Sequence, residues 1–394
     1  MARPSHSFPA DVDYTSQSAL FKVAKVARYV RLYGISRTKM KVVAQLHMKR
    51  TFAQLPPRHQ EYSARQTVGL IGCGNYAFSN IAYFLNKKAG KVIAVCMDAN
   101  MNRAASMSRQ YHIPYYTDDA QEIIEDSRIR LVYIASNHAS HAEYAILALQ
   151  SGKDVYIEKP HVVSETQLER LIEAMKRSTG KVFLGFNRPG SDFGRLILES
   201  LRGETGAGMY SWFVAGHKID PDHWYFRPEE GGRVLGNLCH WTDFVFQMAD
   251  EPRFPIRINP TRGKQSDSDI AVSFTFPDET ISVITFSAKG HTFEGVRETL
   301  SAHRGNCLIA MEDYKRLTID VGSRKRVFVN RYRDHGHSRN IVRAYESSCR
   351  GGAYDRRQSA EYIANTGWLF LKTREALEAG RALTIAAYPQ SVPE

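Results

Sequence analysis

Val68-Gly69-Leu70-Ile71-Gly72-Cys73-Gly74-Asn75-Tyr76-Ala77 is the stretch whose reading decides the fold. A short apolar run ends in Gly-x-Gly-x-x-Ala, and a helical pattern follows from Phe78 to Leu85. Strand, tight turn and helix in that order are the parts of a dinucleotide site. Gly72 permits the turn, Gly74 lets a diphosphate approach the backbone, and Ala77 lets the helix pack close to the strand. The diphosphate would then meet Asn75 and Tyr76 at the helix N-terminus, where unpaired amide hydrogens and the helix dipole favour negative charge.

The next strand has to agree, because a glycine fingerprint alone is weak. Lys91–Met97 reads as a buried parallel strand and ends at Asp98. An acid roughly 20 residues beyond the glycine turn is placed to accept both hydroxyl hydrogens of an adenosine ribose. It would repel a 2′-phosphate, so NAD is expected rather than NADP, although Arg103 just downstream works against that preference.

Outward from this unit, residues 66–187 alternate strand and helix. Strands are expected at Ile113–Tyr116, Leu131–Ala135, Asp154–Ile157 and Lys181–Phe186, with helices at Ala104–Tyr111, Ala120–Glu125, Ala142–Gln150 and Ser164–Ser178. Such alternation predicts a doubly wound parallel α/β sheet of the Rossmann type. Ligands then sit beyond the strand C-termini, where Gly72, Asp98, Asn137 and Lys159 fall. From residue 188 to 394 the pattern changes. Ala271–Phe276 and Thr280–Phe286 alternate around Pro277-Asp278 as a hairpin, and further strands are expected at Tyr210–Ala215, Cys307–Met311, Arg316–Asp320 and Arg326–Val329. The second domain is therefore expected to be α+β, with an open, mainly antiparallel sheet.

Residues 1–65 stand apart as a basic extension. No acid occurs from Tyr14 to Gln60, while ten lysines and arginines fall inside. Leu20, Val23, Ala24, Ala27 and Val30 recur at helical spacing with Lys22, Lys25 and Arg28 off that face. Such a helix can dock its apolar face on the body or on another subunit, or lie on an anionic membrane over 14–60. Nucleic acid ranks third, because no recognised nucleic-acid motif accompanies the charge.

The 394 residues predict two domains, and the net charge of +12 with 43% apolar residues predicts a soluble protein with anionic partners. No run approaches the ~20 apolar residues of a membrane span. The first residues lack the apolar core of a secretory signal. Five scattered cysteines without a CxxC pair fit a reducing cytoplasm, and no ligand spacing suggests a metal.

Several segments now occur in a telling order: Gly72-Cys73-Gly74 with Asp98, Ser136-Asn137-His138 with His141, Glu158-Lys159-Pro160, Gly185-Phe186-Asn187-Arg188, and Gly231-Gly232 leading to His240-Trp241-Thr242-Asp243. Together they resemble the glucose–fructose oxidoreductase/inositol dehydrogenase family, Gfo/Idh/MocA, over about residues 66–380. The resemblance implies NAD(P)-dependent oxidation or reduction of a hydroxyl-bearing carbon of a sugar, polyol or nucleotide sugar. It implies that Lys159 contacts the reacting hydroxyl and the nicotinamide ribose, and that His240 accepts the proton. Ser136, Asn137, His138, His141, Glu158 and Pro160 would belong to the cofactor side by the same motifs. Gly236 stands where many relatives carry an aspartate, which puts a Lys–Asp–His triad in doubt, and Asn237 beside it is no equivalent acid. His161 follows Glu-Lys-Pro where an apolar residue is more usual; it can reach the cofactor or cap the next helix. His217, His223, Trp224, Tyr225 and Arg227 can line a polar pocket, with Asn187 on the same side. Arg227 or Arg188 can hold a carboxylate or phosphate bidentately.

The expectation is an NAD-dependent dehydrogenase of a sugar or nucleotide sugar, working in the cytoplasm or at the inner membrane face, as a homo-oligomer joined through the second-domain sheet. Its rivals are an NAD-dependent glycosidase and a non-catalytic NAD-binding interaction protein.

Overall fold

The computed structural model describes residues 18–217, 219, 222–249, 253–263, 269–288, 294–352 and 355–389. The glycine-turn strand is the centre of a six-stranded, all-parallel sheet. Its strands are β1 (Val68–Ile71), β2 (Ile93–Met97), β3 (Tyr115–Thr117), β4 (Leu131–Ile134), β5 (Asp154–Ile157) and β6 (Val182–Leu184), in the order β3-β2-β1-β4-β5-β6. The strand order reverses between β1 and β4, and that switch point opens a crevice at the strand C-termini. Every residue of β1, β2, β4 and β5 is buried, as expected of a sheet covered by helices on both faces.

The chain then builds a nine-stranded sheet from β7 (Gly208–Ala215), β8 (Ile256–Arg262), β9 (Ile270–Thr275), β10 (Ile281–Ser287), β11 (Arg297–Arg304), β12 (Cys307–Glu312), β13 (Arg316–Val321), β14 (Arg324–Val329) and β15 (Leu383–Ile385). Their order is β14-β13-β12-β11-β7-β10-β9-β8-β15, antiparallel except for the β10–β7 pair. The hairpin expected around Pro277-Asp278 is the β9–β10 pair. Burial alternates along β7, β11 and β12, so one face packs on helices and the other looks outward. Helices Cys239–Met248 and Ala360–Ala379 fill the inner face; Asp243 is sealed there, taking bonds from Tyr362 at 2.5 Å and Thr366 at 3.0 Å. β8, β11 and β15 were not expected from sequence.

The basic extension forms two helices, α1 (Ala19–Tyr33) and α2 (Ile35–Met48), hinged at Gly34. Ser18 caps α1 by accepting from the Phe21 amide at 3.2 Å. Of the expected seats for its apolar face, the structure overturns docking on the body of the same chain. Leu20 and Val23 are 80% and 66% exposed, and Ala24 and Ala27 also face solvent. Contact with the body runs instead through Leu32, Tyr33 and cations: Arg28 pairs with Glu294, and Arg333 donates its amide to Leu32 at 2.8 Å and its guanidinium to Tyr33 at 3.2 Å. The reason is that the body offers acids here. Glu294, 3% exposed, is paired with Arg28, Arg297 and Arg333, and a buried carboxylate requires such partners. α2 lies along the helix that follows the glycine turn. Arg37 donates to the Ser79 carbonyl and the Asn80 side chain, Ser36 bonds Tyr83 at 2.9 Å, and His47 stacks on Phe78 at 4.0 Å between centroids.

Candidate active site

The glycine turn has the geometry its sequence demands. Gly72 has φ +92°, and a Cβ there would stand 2.5 Å from the Ala135 carbonyl oxygen at the neighbouring strand end. Gly74 has nothing within 4 Å of the Cβ position, so the backbone is bare on its ligand side. Asp98 accepts the Cys73 amide at 2.8 Å and the Asn100 amide at 2.9 Å, which ties the acid to the turn while leaving it half-exposed. Ala77 is fully buried and begins a wide helical turn, Ala77–Ala82, that runs into the helix Tyr83–Lys88. The Asn75 side chain faces Ser79 at 3.5 Å. A residue outside the motif also holds the turn: His47 of α2 reaches the Cys73 carbonyl oxygen through Nε2 at 2.7 Å.

Beyond β4, Asn137, His138 and His141 are engaged by protein. Asn137 donates to Glu230 at 2.7 Å, and the other oxygen of that carboxylate accepts the Ala139 amide at 3.1 Å, so Glu230 satisfies a helix N-terminus. His138 bonds the Glu230 carbonyl at 2.8 Å and is covered by Trp224 and Tyr225, with ring centroids 4.9 and 4.8 Å away. His141 bonds the Pro160 carbonyl at 2.8 Å and thereby braces the Glu-Lys-Pro turn. Burial pushes His141 down to about 4, so it is neutral. Ser136 meets Ser140 at 2.7 Å. His161 neither caps the next helix nor reaches the crevice: it is fully buried, bonds the Ile363 carbonyl at 3.1 Å and packs edge-on to Phe186 and Phe370.

Glu158-Lys159-Pro160 closes β5 with a cis peptide before Pro160. Glu158 is buried, accepts from Tyr156 at 3.1 Å, and also interacts with Tyr76. Burial raises its carboxyl above the usual range against the pull of Lys159. Gly185 lies against that carboxyl, 2.8 Å from a Cβ position. Lys159 extends the other way and donates to the Gly236 carbonyl oxygen at 2.6 Å. Gly236 belongs to a wide helical turn, Val234–Leu238, and a Cβ there would collide with the Tyr225 phenol. The tyrosine therefore occupies the space that an aspartate would need, and the lysine is held by a neutral carbonyl.

His240 opens the following helix. It is 8% exposed, and its Nδ1 has no hydrogen-bond partner. Burial, reinforced by the positive charges of Arg188 and Lys159, pushes it well below the ordinary imidazole value. A neutral ring with an unoccupied nitrogen is equipped to accept a proton.

Arg188 is not available to a ligand, contrary to the expectation from sequence. It is buried, binds both oxygens of Glu298 at 2.8 Å, and lies over the Trp241 ring at 4.4 Å. Trp241 and His335 also approach Glu298, at 2.8 and 3.4 Å. Asn187 donates to the His335 carbonyl at 2.6 Å, with its own side-chain oxygen unpaired in the interior. Asn237 receives Arg233 at 3.4 Å, Arg233 also bonds the His217 carbonyl, and Arg227 is exposed. His223 caps the short turn Trp224–Phe226.

The sequence reading missed His335 and His337. Gly336, at φ +85°, turns the chain tightly against Asn187 and brings both rings inward, 6.0 Å apart, with His337 5.9 Å from Tyr76. Burial and the charges of Arg37, Arg188, Lys41 and Lys159 hold His337 well below its ordinary value. The signal available was His-Gly-His at the mouth of an amphipathic helix.

The glycine turn, Asp98 and Lys159 thus lie at the C-terminal ends of the parallel strands, and the charge of Lys159 acts on the neutral His240. Residues 66–186 match the model of the Gfo/Idh/MocA family, described as an oxidoreductase family with an NAD-binding Rossmann fold. An oxidoreductase of Formosa agariphila is 33% identical over 120 residues, 30% of this chain and 37% of that protein. The myo-inositol 2-dehydrogenase of Thermotoga maritima is 24% identical over 255 residues, 59% of this chain and 76% of that protein. Levoglucosan dehydrogenase, solved with NADH and levoglucosan, shares the fold at a TM-score of 0.69 and 17% identity, over 82% of this chain and 99% of that one. The chain spans about a third of the length of the curated relatives it matches first. Among the described residues, no helix is long and apolar enough to cross a membrane, and no group of three or more His, Cys, Asp or Glu is placed to hold a metal.

Proposed function

We propose that the chain is an NAD-dependent dehydrogenase that oxidises or reduces a hydroxyl-bearing carbon of a sugar or nucleotide sugar. The residues fit the cofactor: Gly74 is bare, the turn leads into a helix, and the half-exposed Asp98 suits a ribose diol. Asp98 would hold the adenosine ribose, and the amides after Gly74 the diphosphate. When bound, NAD supplies the hydride acceptor.

The observation that carries the reading is His240, a neutral buried histidine with a free Nδ1, under the influence of the Lys159 charge. Lys159 would bind the substrate oxygen and lower the cost of alkoxide charge. His240 would take the hydroxyl proton, since a carbinol carbon releases hydride only as its proton leaves. The Gly236 carbonyl fixes the ammonium without neutralising it. Trp224 and Tyr225 offer aromatic faces to a sugar ring. The test is NAD reduction across a panel of sugars, polyols and nucleotide sugars, repeated with Lys159→Met. Absorbance at the NADH band that appears with no member refutes the reading. Cofactor that stays bound through gel filtration while a glycoside is cleaved would favour NAD-dependent glycosidase chemistry instead.

Self-association through the nine-stranded sheet is part of the proposal. Its outward face carries Met209, Phe213 and Leu308, each more than half exposed.

A further inference from the structure

We propose that the N-terminal helix pair is a membrane-docking surface that seats the protein on an anionic lipid bilayer. The inference goes beyond the dehydrogenase reading and does not depend on it. It begins from two helices whose amphipathic sense is turned outward. On α1, Leu20, Val23, Ala24, Ala27 and Arg31 share one face, and all five are exposed. On α2, Ile35, Lys39, Val42 and Leu46 share one face, with Ile35 75% and Leu46 60% exposed.

The opposite faces hold the body, and they do so largely through polar groups. Arg28 reaches Glu294, the Leu32 carbonyl accepts the Arg333 amide at 2.8 Å, and Ser36, Arg37 and His47 bond the glycine turn and the helix after it. A helix pair that only braced the fold would bury its aliphatic stripe and leave its cations in water. Here the polar groups point inward, while Leu20, Val23, Val26, Ile35, Val42 and Leu46 remain exposed. Apolar surface gathered in this way is unfavourable in water until something apolar covers it. The surface continues across the hinge, where a Cβ on Gly34 would stand 3.1 Å from the ring of the exposed Tyr332. A tyrosine beside aliphatic residues suits the boundary between headgroups and acyl chains.

The charge of this surface selects its partner. No acid occurs between Tyr14 and Gln60, and Arg31, Lys39, Lys49 and Arg50 are exposed along the two helices and at their end. A second copy meeting this face across a two-fold axis would bring like charges together with no acid between them. An anionic bilayer supplies both complements: acyl chains for the aliphatic stripes and phosphate headgroups for the cations. The long stems of lysine and arginine let the charge reach the headgroups from an apolar seat. At 15 and 14 residues the helices are shorter than the ~20 of a membrane span, so they would lie in the plane of the interface.

The test is sedimentation of the full chain with phosphatidylcholine vesicles and with vesicles that also contain phosphatidylglycerol. The parent should partition onto the anionic vesicles at least about tenfold more strongly than onto the neutral ones. A variant carrying Leu20→Ser, Ile35→Ser and Leu46→Ser should lose that binding by about tenfold or more, as should one carrying Arg31→Gln, Lys39→Gln and Arg50→Gln. These side chains face away from the body, so both variants should keep the parent's urea midpoint. A parent that ignores anionic vesicles overturns the proposal, and so does binding that survives the serine substitutions. A serine variant that sheds subunits in light scattering, with a parent that ignores vesicles, would assign the stripes to a second copy instead.

Discussion

Lys159 donates to the carbonyl oxygen of Gly236 at 2.6 Å, so the strand end carrying the lysine is tied directly to the helix carrying His240. A carbonyl acceptor orients an ammonium without cancelling its charge, which an aspartate would do. Lys159→Met should therefore keep the fold and most of the NAD affinity while removing ~3–4 kcal/mol of transition-state stabilisation, ~100- to 1,000-fold in rate. Single-turnover hydride transfer followed at the NADH absorbance measures it. A rate within about tenfold of the parent would remove Lys159 from the chemistry.

Gly236→Ala tests the same joint from the other side. The added carbon collides with the Tyr225 phenol, and overpacking of this kind costs ~1–3 kcal/mol. The urea midpoint should fall, and turnover should fall further because the carbonyl that aims Lys159 moves. Adding Tyr225→Ala should return part of the activity by vacating the space. Equal urea midpoints for parent and Gly236→Ala would show that no such crowding exists.

Asp98→Ala should weaken NAD binding by more than a ribose contact alone. The carboxylate also accepts the Cys73 and Asn100 amides, and each hydrogen bond to a charged acceptor contributes ~1.5–3 kcal/mol. Isothermal titration decides, and parent-like affinity would disprove the assignment.

A chain starting at Arg65 should bind NAD less tightly and unfold at lower urea. From sequence alone the opposite is expected, because the extension lies outside the resemblance. In the structure His47 bonds Cys73 of the turn, and Arg37 bonds the helix that follows. His47→Ala should reproduce part of the loss, ~1–3 kcal/mol, by leaving a buried carbonyl unsatisfied. Unchanged NAD affinity in both variants would show that the turn holds itself.

Stability should rise with pH between about 4 and 6.5. His141 and His161 are pushed down to about 4 and about 3, and His138, His240, His335 and His337 also titrate well below the ordinary value, each through burial first. In that window the unfolded chain binds protons that the folded chain refuses, so stability falls as pH drops through 6.5, by up to ~1.4 kcal/mol per pH unit for each histidine. Asp243 and Asp313, raised to about 6 by burial, work in the opposite sense but are fewer. Urea midpoints at pH 7, 6 and 5 measure the slope; a flat profile would mean that the imidazoles are charged in the fold.

The parallel sheet was legible because each of its strands is a continuous apolar run ending in chemistry: Gly72, Asp98, Asn137 and Lys159 all lie at strand ends. The antiparallel sheet was legible where alternation was clean, as in β9 and β10. β11 was hidden because Arg297, His303 and Arg304 dilute its apolar alternation. At the site, Lys159 and His240 could be read from motifs. Pairing could not, because Glu298 meets Arg188 across 110 residues and no local pattern announces it. The same holds for the extension: periodicity identified the α1 stripe, but the direction it faces was decided by distant acids.

Contacts that span the chain set the order in which it can be completed. Arg28 and Glu294 are 266 positions apart, and Tyr33 and Arg333 are 300 apart. During synthesis α1 emerges before the parallel sheet, yet its partners Glu294 and Arg333 are made long after it, whereas α2 meets Ser79, Tyr83 and Cys73 within the sheet domain itself. For that interval α1 is a cationic, partly apolar helix without a seat, the kind of segment that folding helpers hold. Loop closure over such separations is slow. The first helix should therefore dock last in refolding, and dinucleotide affinity should appear with the sheet and α2, before that final event.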